Sequence, residues 1–112
     1  LQNNTFVSDV DATAKEFAHY SGDVLPIAGD VRKSNEVQNI INQGLKKFGE
    51  INGLINNAAG NFISPTERLS TKAFDVIVDI VLKGTYNYSL TLGKHWIEKK
   101  QSGVILNIVT TY

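Results

Sequence analysis

The chain has 112 residues, 42% of them hydrophobic and 20% charged, proportions ordinary for one compact globular unit and silent about chemistry. Eleven Lys and Arg balance eleven Asp and Glu, so the chain lacks the electrostatic footprint of a protein whose main partner is a nucleic acid or an anionic membrane. Cysteine is absent, which excludes disulfides, thiolate metal sites and cysteine nucleophiles within the chain and leaves its redox compartment open.

The first residues, Leu1 to Thr5, carry neither a basic region nor an apolar core and do not read as a secretory signal. The missing initial Met and the stop at Tyr112, just after an apolar run, lead us to expect that residues 1–112 are the central part of a single domain truncated at both ends. The first helix is expected between a cap at Ser8 and a stop at Gly22, with Val10, Ala14, Phe17 and Ala18 on one face. Val24-Leu25-Pro26-Ile27-Ala28 is strand-sized, but Pro26 removes a ladder donor, which predicts an edge position or partial pairing.

The second helix is marked by Ser34 as its cap and Glu36 in its positive first turn. Val37, Ile40, Ile41, Leu45 and Phe48 form its buried stripe, and Lys46 and Lys47 precede a stop at Gly49. Ile51 to Asn56 reads as the next strand. A long helix follows from a cap at Ser70 to about Lys100, with Phe74, Ile77, Val78, Val81, Tyr88, Leu92 and Trp96 on its apolar face and Gly84 and Gly93 marking bends or close packing. No segment reaches the roughly 18 to 20 apolar residues of a membrane span; the stretch Phe74 to Leu82 is broken by Asp75 and Asp79. The last strand, Val104 to Val109, is apolar on both faces, as strands of a parallel sheet covered on both sides are.

Strands alternating with helices require crossover connections, and the expected fold class is α/β, a doubly wound parallel sheet. Ligands of such sheets bind beyond the carboxyl ends of the strands. Three segments fall there: Gly29-Asp30-Val31-Arg32, Asn57-Ala58-Ala59-Gly60-Asn61-Phe62 and Thr110-Thr111-Tyr112. Small residues at Ala58, Ala59 and Gly60 would let backbone approach a flat ligand, and the Asp30 carboxylate can accept from an adenine amino group. Taken singly, each has a plainer reading: Asp30 as a turn residue, Ala58 to Gly60 as a tight loop, Tyr112 as a packing residue. His19 and His95 stand alone on helices without a carboxylate or serine at triad or metal spacing, and no metal site is expected.

In combination, Asp30-Val31 after one strand and Asn56-Asn57-Ala58-Ala59-Gly60 after the next resemble the short-chain dehydrogenase superfamily from about Val24 to Tyr112. The stretch Asn57 to Ser70, with Asp79-Ile80-Val81-Leu82 and Gly84-Thr85 downstream, resembles its 2,4-dienoyl-CoA reductase branch. Superfamily members typically carry a catalytic asparagine where this chain has Val81; the dienoyl-CoA reductases depart there too and use the asparagine after the Ala-Ala-Gly turn. Lys83 stands where an asparagine is expected, a helix position that tolerates surface variation.

The resemblance implies a Rossmann-type fold and NADPH-dependent reduction of 2,4-dienoyl-CoA to 3-enoyl-CoA in unsaturated fatty acid β-oxidation. By position, Asp30, Val31, Asn57, Ala58, Ala59 and Gly60 would hold the cofactor, NADP(H) with NAD not excluded. Arg32 and Phe62 would border an acyl-CoA thioester, and Asn61 and Tyr112 would be catalytic, donating to its carbonyl. The glycine-rich pyrophosphate loop and the active-site lysine of the superfamily have no counterpart between Leu1 and Tyr112. The resemblance further implies a homotetrameric parent, cytoplasmic in a bacterium and mitochondrial or peroxisomal in a eukaryote. Two rivals remain: a 3-oxoacyl or carbonyl reductase of the same superfamily, and an inactive self-associating module built on the long helix.

Overall fold

A computed structural model of the chain describes residues 12–17, 19–58 and 66–109. Residues 12–17 are helical as expected, and Gly22 adopts a φ of 99° in the turn that follows. Phe17, expected on a buried face, is instead 47% exposed and packs its ring 6.0 Å from that of Tyr20. Ser8, Val10 and Ala18 lie outside the described residues.

Helix α1 (Ser34–Phe48) begins one residue earlier than a cap at Ser34 would require. Its N-cap is Lys33, in an extended conformation and without a side-chain cap bond. The reason lies upstream: a turn in which the Lys33 N–H donates to the Asp30 carbonyl at 3.0 Å brings Ser34 into the first helical turn. Glu36 then turns back, accepting the Asp30 N–H at 3.0 Å, so the acidic residue of the first turn ties the preceding turn to the helix. The helix stops at Gly49, whose φ of 84° suits glycine, with its N–H donating to the Leu45 carbonyl at 2.8 Å.

Two parallel strands follow, β1 (Gly53–Asn56) and β2 (Val104–Asn107), paired from Gly53 with Val104 to Asn56 with Asn107. Bonds from the Val104 N–H to the Asn52 carbonyl and from the Ile108 N–H to the Asn56 carbonyl extend the ladder at each end. The expected third strand does not form: residues 24–28 make no ladder among the described residues. Pro26 has no N–H to offer a ladder. Leu25 and Ile27 nevertheless line an apolar cavity with Ile40, Ile41 and Leu54, so the segment lies beside α1 and β1. Nor is β2 covered on both faces. Leu106 is 51% exposed and its register partner Ile55 65% exposed among the described residues, while Leu54 packs against the core.

The connection from β1 to β2 is helical for most of its length. Thr66–Arg68 forms a 3-10 turn, and Ser70 caps helix α2 (Thr71–Val78), its Oγ accepting the Ala73 N–H at 3.0 Å as expected. The helix then widens into a π turn over Asp79–Lys83 before continuing as α3 (Gly84–Lys99). This turn corrects the predicted apolar face. A uniform period of 3.6 puts Phe74 and Val81 inside, yet they are 56% and 42% exposed; the wider turn carries Val76 and Ile80 to the clefts and buries Gly84 and Asn87. Helix α3 ends at Lys100 in the left-handed region, with the Gln101 N–H bonded to the Trp96 carbonyl.

Val37 and Ile41 of α1 meet Leu92 and Trp96 of α3 in the core, with Leu45, Ile51, Leu54 and Tyr88 around them. Val37 and Leu92 are the largest fully buried side chains, and burial of such a group is worth about 1.5–3 kcal/mol. Phe48, predicted in the same stripe, is 48% exposed at the helix end, where the Lys47 Nζ lies 5.8 Å from its ring. The Ile51 carbonyl anchors the lower end of the core, accepting from Trp96 Nε1 and Gln101 Nε2, both at 2.7 Å. No helix among the described residues is long and apolar enough to cross a membrane.

Candidate functional site

Beyond the carboxyl end of β1 lie two clefts that share Val31, Ala58 and Ile80. The larger, about 860 Å³, runs past Gly29, Asp30, Arg32, Lys33 and Glu36 to Val76 of α2. The smaller, about 300 Å³, lies among Asn56, Asn57, Gly84, Thr85 and Tyr88. Both thus occupy the position at which an open parallel sheet binds ligands.

The turn at Asp30 is built around one ion pair. Arg32 Nε donates to both carboxylate oxygens, at 2.9 and 3.0 Å, and Arg32 Nη2 reaches Oδ2 at 2.6 Å. The Arg32 backbone N–H adds a bond to Oδ1 at 3.0 Å, the side-chain to main-chain bond two residues on by which Asp favours turns. The guanidinium holds the Asp30 carboxyl down at about 2, and the same bond raises the Arg32 pKa. Asp79, in the π turn, adds to that upward shift through its charge. Lys33 Nζ lies 3.6 Å from the Glu36 carboxylate, so α1 contributes its own charge pair at the mouth of the larger cleft.

The far wall is set by the end of the sheet. Asn56 Nδ2 donates to Asn107 Oδ1 at 2.9 Å and to Ser89 Oγ at 3.3 Å, tying β1 to β2 and to α3 just before the chain turns into Asn57 and Ala58. Of the residues expected at the site, the structure brings Asp30, Val31, Arg32 and Ala58 together along one cleft and sets Asn57 beside the smaller one. Ala59, Gly60, Asn61, Phe62 and Tyr112 lie outside the described residues.

Several residues at these clefts were not assigned to the site from the sequence. Ile80 lines both, and Thr85 and Tyr88 line the smaller; burial raises the pKa of the Tyr88 phenol. Asn87, 7% exposed, donates from Nδ2 to the Val31 carbonyl at 2.9 Å. Its helical neighbours Lys83, Gly84, Leu90 and Thr91 form no apolar stripe, so the sequence offered no signal, and its burial with a backbone partner identifies it.

The larger cleft suits a planar heterocycle bearing an amino group. Val31, Val76, Ala58 and Ile80 offer apolar surface, and the Asp30 carboxylate stands at its edge with Arg32 bonded to both of its oxygens. That is the chemistry of an adenosine moiety. Gly29, Asp30 and Ala58 line the part of the cleft that would hold it.

An α/β layer with such a cleft at its strand ends defines the open-sheet class of ligand-binding domains. Residues 4–112 match the short chain dehydrogenase family profile, and the chain belongs to that family. A probable 2,4-dienoyl-CoA reductase [(2E)-enoyl-CoA-producing] of Bacillus subtilis is 42% identical over 103 residues, 92% of this chain and 41% of the relative. The peroxisomal 2,4-dienoyl-CoA reductase [(3E)-enoyl-CoA-producing] of Mus musculus is 44% identical over 103 residues, 91% of this chain and 35% of the relative. The chain therefore spans less than half the length of these relatives. Among solved structures, a short chain dehydrogenase from Bacillus anthracis superposes with a TM-score of 0.89 at 43% identity, over 94% of this chain and 44% of that one. A 3-ketoacyl-(acyl-carrier-protein) reductase from Brucella melitensis, complexed with NADH, superposes with a TM-score of 0.81 at 28% identity, over 93% and 43%.

Proposed function

We propose that this chain is the central part of a Rossmann-type domain that reduces 2,4-dienoyl-CoA thioesters at the expense of NADPH. The observation that carries the reading is kinship of 42% and 44% with two dienoyl-CoA reductases along nearly the whole chain. The amino-heterocycle cleft at Asp30 supports it, as does the NADH carried by the Brucella relative. Bound reduced nicotinamide would supply a hydride to the δ carbon of the substrate. The remaining work falls to the chain's own residues. Arg32 and Phe62 border the acyl-CoA, and Asn61 and Tyr112 donate to the thioester oxygen onto which charge moves through the conjugated system. Two neutral donors stabilise that oxygen without a covalent bond. Tyr112 then assists protonation at the α carbon, giving the 3-enoyl thioester.

The test is NADPH oxidation by the full-length protein with a 2,4-dienoyl-CoA. Asn61→Ala and Tyr112→Phe are each expected to lower kcat by about 100- to 1,000-fold. Unchanged rates would remove the assigned roles. Product analysis decides the regiochemistry, because the names of the two relatives differ on it: a 2-enoyl product would move the proton delivery to the γ carbon and away from the role given to Tyr112. Rates with NADH in place of NADPH test the cofactor preference.

One observation favours a second role in parallel. Leu82, Tyr86 and Ile97 are 68%, 60% and 79% exposed on the long helix, and a Cβ placed on Gly93 would meet nothing within 4 Å. An apolar helix face with a small residue at its centre suits close packing against a second copy, in keeping with a homotetrameric protein.

A further inference from the structure

The Asp30 turn is fastened to the long helix through Val31, and nothing in the assigned chemistry uses that contact. Asn87 of α3 is buried, 7% exposed. Its Nδ2 donates at 2.9 Å to the carbonyl of Val31, 56 positions away in the chain. One helical turn earlier, Gly84 is also buried. A Cβ there would come within 2.6 Å of Val31 Cγ2 and 3.0 Å of Val31 Cβ, so the absence of a side chain is what lets residue 31 approach the helix to bonding distance. Val31 lies between Asp30 and Arg32, whose side chains form the bidentate pair, and it borders both clefts.

We infer that Asn87 is a positioning residue for nucleotide binding, acting through the Val31 carbonyl to set the Asp30–Arg32 turn against the cleft, with Gly84 providing the clearance. The inference rests on the proposed reading of that turn as part of the dinucleotide site. The turn has two tethers of different kinds. Glu36 of α1 takes the Asp30 N–H, and Asn87 of α3 holds the Val31 carbonyl. With the second removed, the turn can pivot on the first, and the carboxylate leaves the edge of the cleft. The residues proposed to act on the substrate carbonyl, Asn61 and Tyr112, lie in other segments of the chain, so the effect is expected to fall on affinity and not on the chemical step.

The experiment uses the full-length protein, with nucleotide binding followed by NADPH fluorescence and turnover with a dienoyl-CoA. Asn87→Leu keeps the side-chain volume and removes the donor; it is expected to raise the NADPH Kd and KM about tenfold, the scale of one lost hydrogen bond at a buried site, with kcat within about twofold. Gly84→Ala is expected to weaken binding similarly, by steric displacement of Val31. Adding Val31→Ala to Gly84→Ala, which removes the clashing methyl, is expected to cost less affinity than the sum of the two single substitutions, a non-additivity that general loss of stability would not give. If wild-type protein binds nucleotide and Asn87→Leu binds it equally well, or loses kcat and affinity together, the positioning role is wrong while the function stands. If wild-type protein binds neither NADPH nor NADH, the functional reading falls and the inference with it.

Discussion

Asn56 and Asn107, the final register pair of the parallel sheet, are joined side chain to side chain, Nδ2 to Oδ1 at 2.9 Å. Asn56 also reaches Ser89 of α3, so one amide connects both strands and the covering helix at the mouth of the smaller cleft. Asn56→Leu should therefore cost about 1–2 kcal/mol, the value of bonds lost with partners left behind. Asn107→Asp keeps an acceptor at a solvent-exposed position and should stay within about 0.5 kcal/mol. Urea denaturation of the two variants checks the asymmetry, and equal losses would contradict it.

The Asp30–Arg32 pair predicts an acid-side effect. Hydrogen bonding from Arg32 lowers the folded-state pKa of Asp30 to about 2 from an ordinary 3.8. A depressed folded pKa favours the folded state above the unfolded value, and the advantage disappears as pH falls through the folded one. The window thus lies between about pH 4 and pH 2. Wild-type stability should fall more steeply across it than that of Asp30→Asn, as read by denaturant midpoints at stepped pH. Raised salt should shrink the difference, since solvent reaches the pair.

Gly103 offers a test of the lower core. An added Cβ would lie 2.4 Å from the ring atoms of Trp96, whose indole is pinned by its bond to the Ile51 carbonyl. Gly103→Ala should destabilise by about 1–3 kcal/mol, the usual range for overpacking. Trp96 is the sole tryptophan of the sequence, so its emission reports the displacement directly through a red shift. An unshifted spectrum with undiminished stability would show that the ring moves freely.

The exposed face of the long helix leads to a prediction about assembly. Ile97→Glu places a charge at a position that is 79% exposed, where an isolated subunit accommodates it with a change of about 0.5 kcal/mol or less. If this face packs against another copy, the charge would be buried there and the oligomer should dissociate. Sedimentation velocity of the full-length variant distinguishes the cases, and an unaltered sedimentation coefficient would move the interface elsewhere.

What could be read from the chain before its structure was what depends on neighbours in sequence. The stop at Gly49 and the cap at Ser70 are local, and both are found as expected. The strand ending at Asn56 and the turn at Asp30 announced themselves by composition. Pro26 already marked the segment from Val24 to Ala28 as a poor pairing strand, and it makes no ladder among the described residues. Two features were not legible, each for a non-local reason. The apolar face of the long helix was misassigned at Phe74 and Val81 because a uniform period cannot anticipate a π turn. Asn87 sits among Lys83, Gly84, Leu90 and Thr91 on its helix, and only the distant Val31 carbonyl opposite it accounts for its burial. The proposed roles of Asn61, Phe62 and Tyr112 came from kinship alone.

The widened turn at Asp79–Lys83 also bears on descent. Such a turn houses one surplus residue while leaving the helical faces before and after it in phase. Deleting a single residue there should restore an unbroken α-helix and leave Ser70 at one end and Trp96 at the other in their present orientations. The same deletion a few positions later would rotate Asn87, Leu92 and Trp96 off their partners together. Length variation in this stretch of the family should accordingly cluster within these five positions, where evolution can add or subtract a residue without disturbing the docked face.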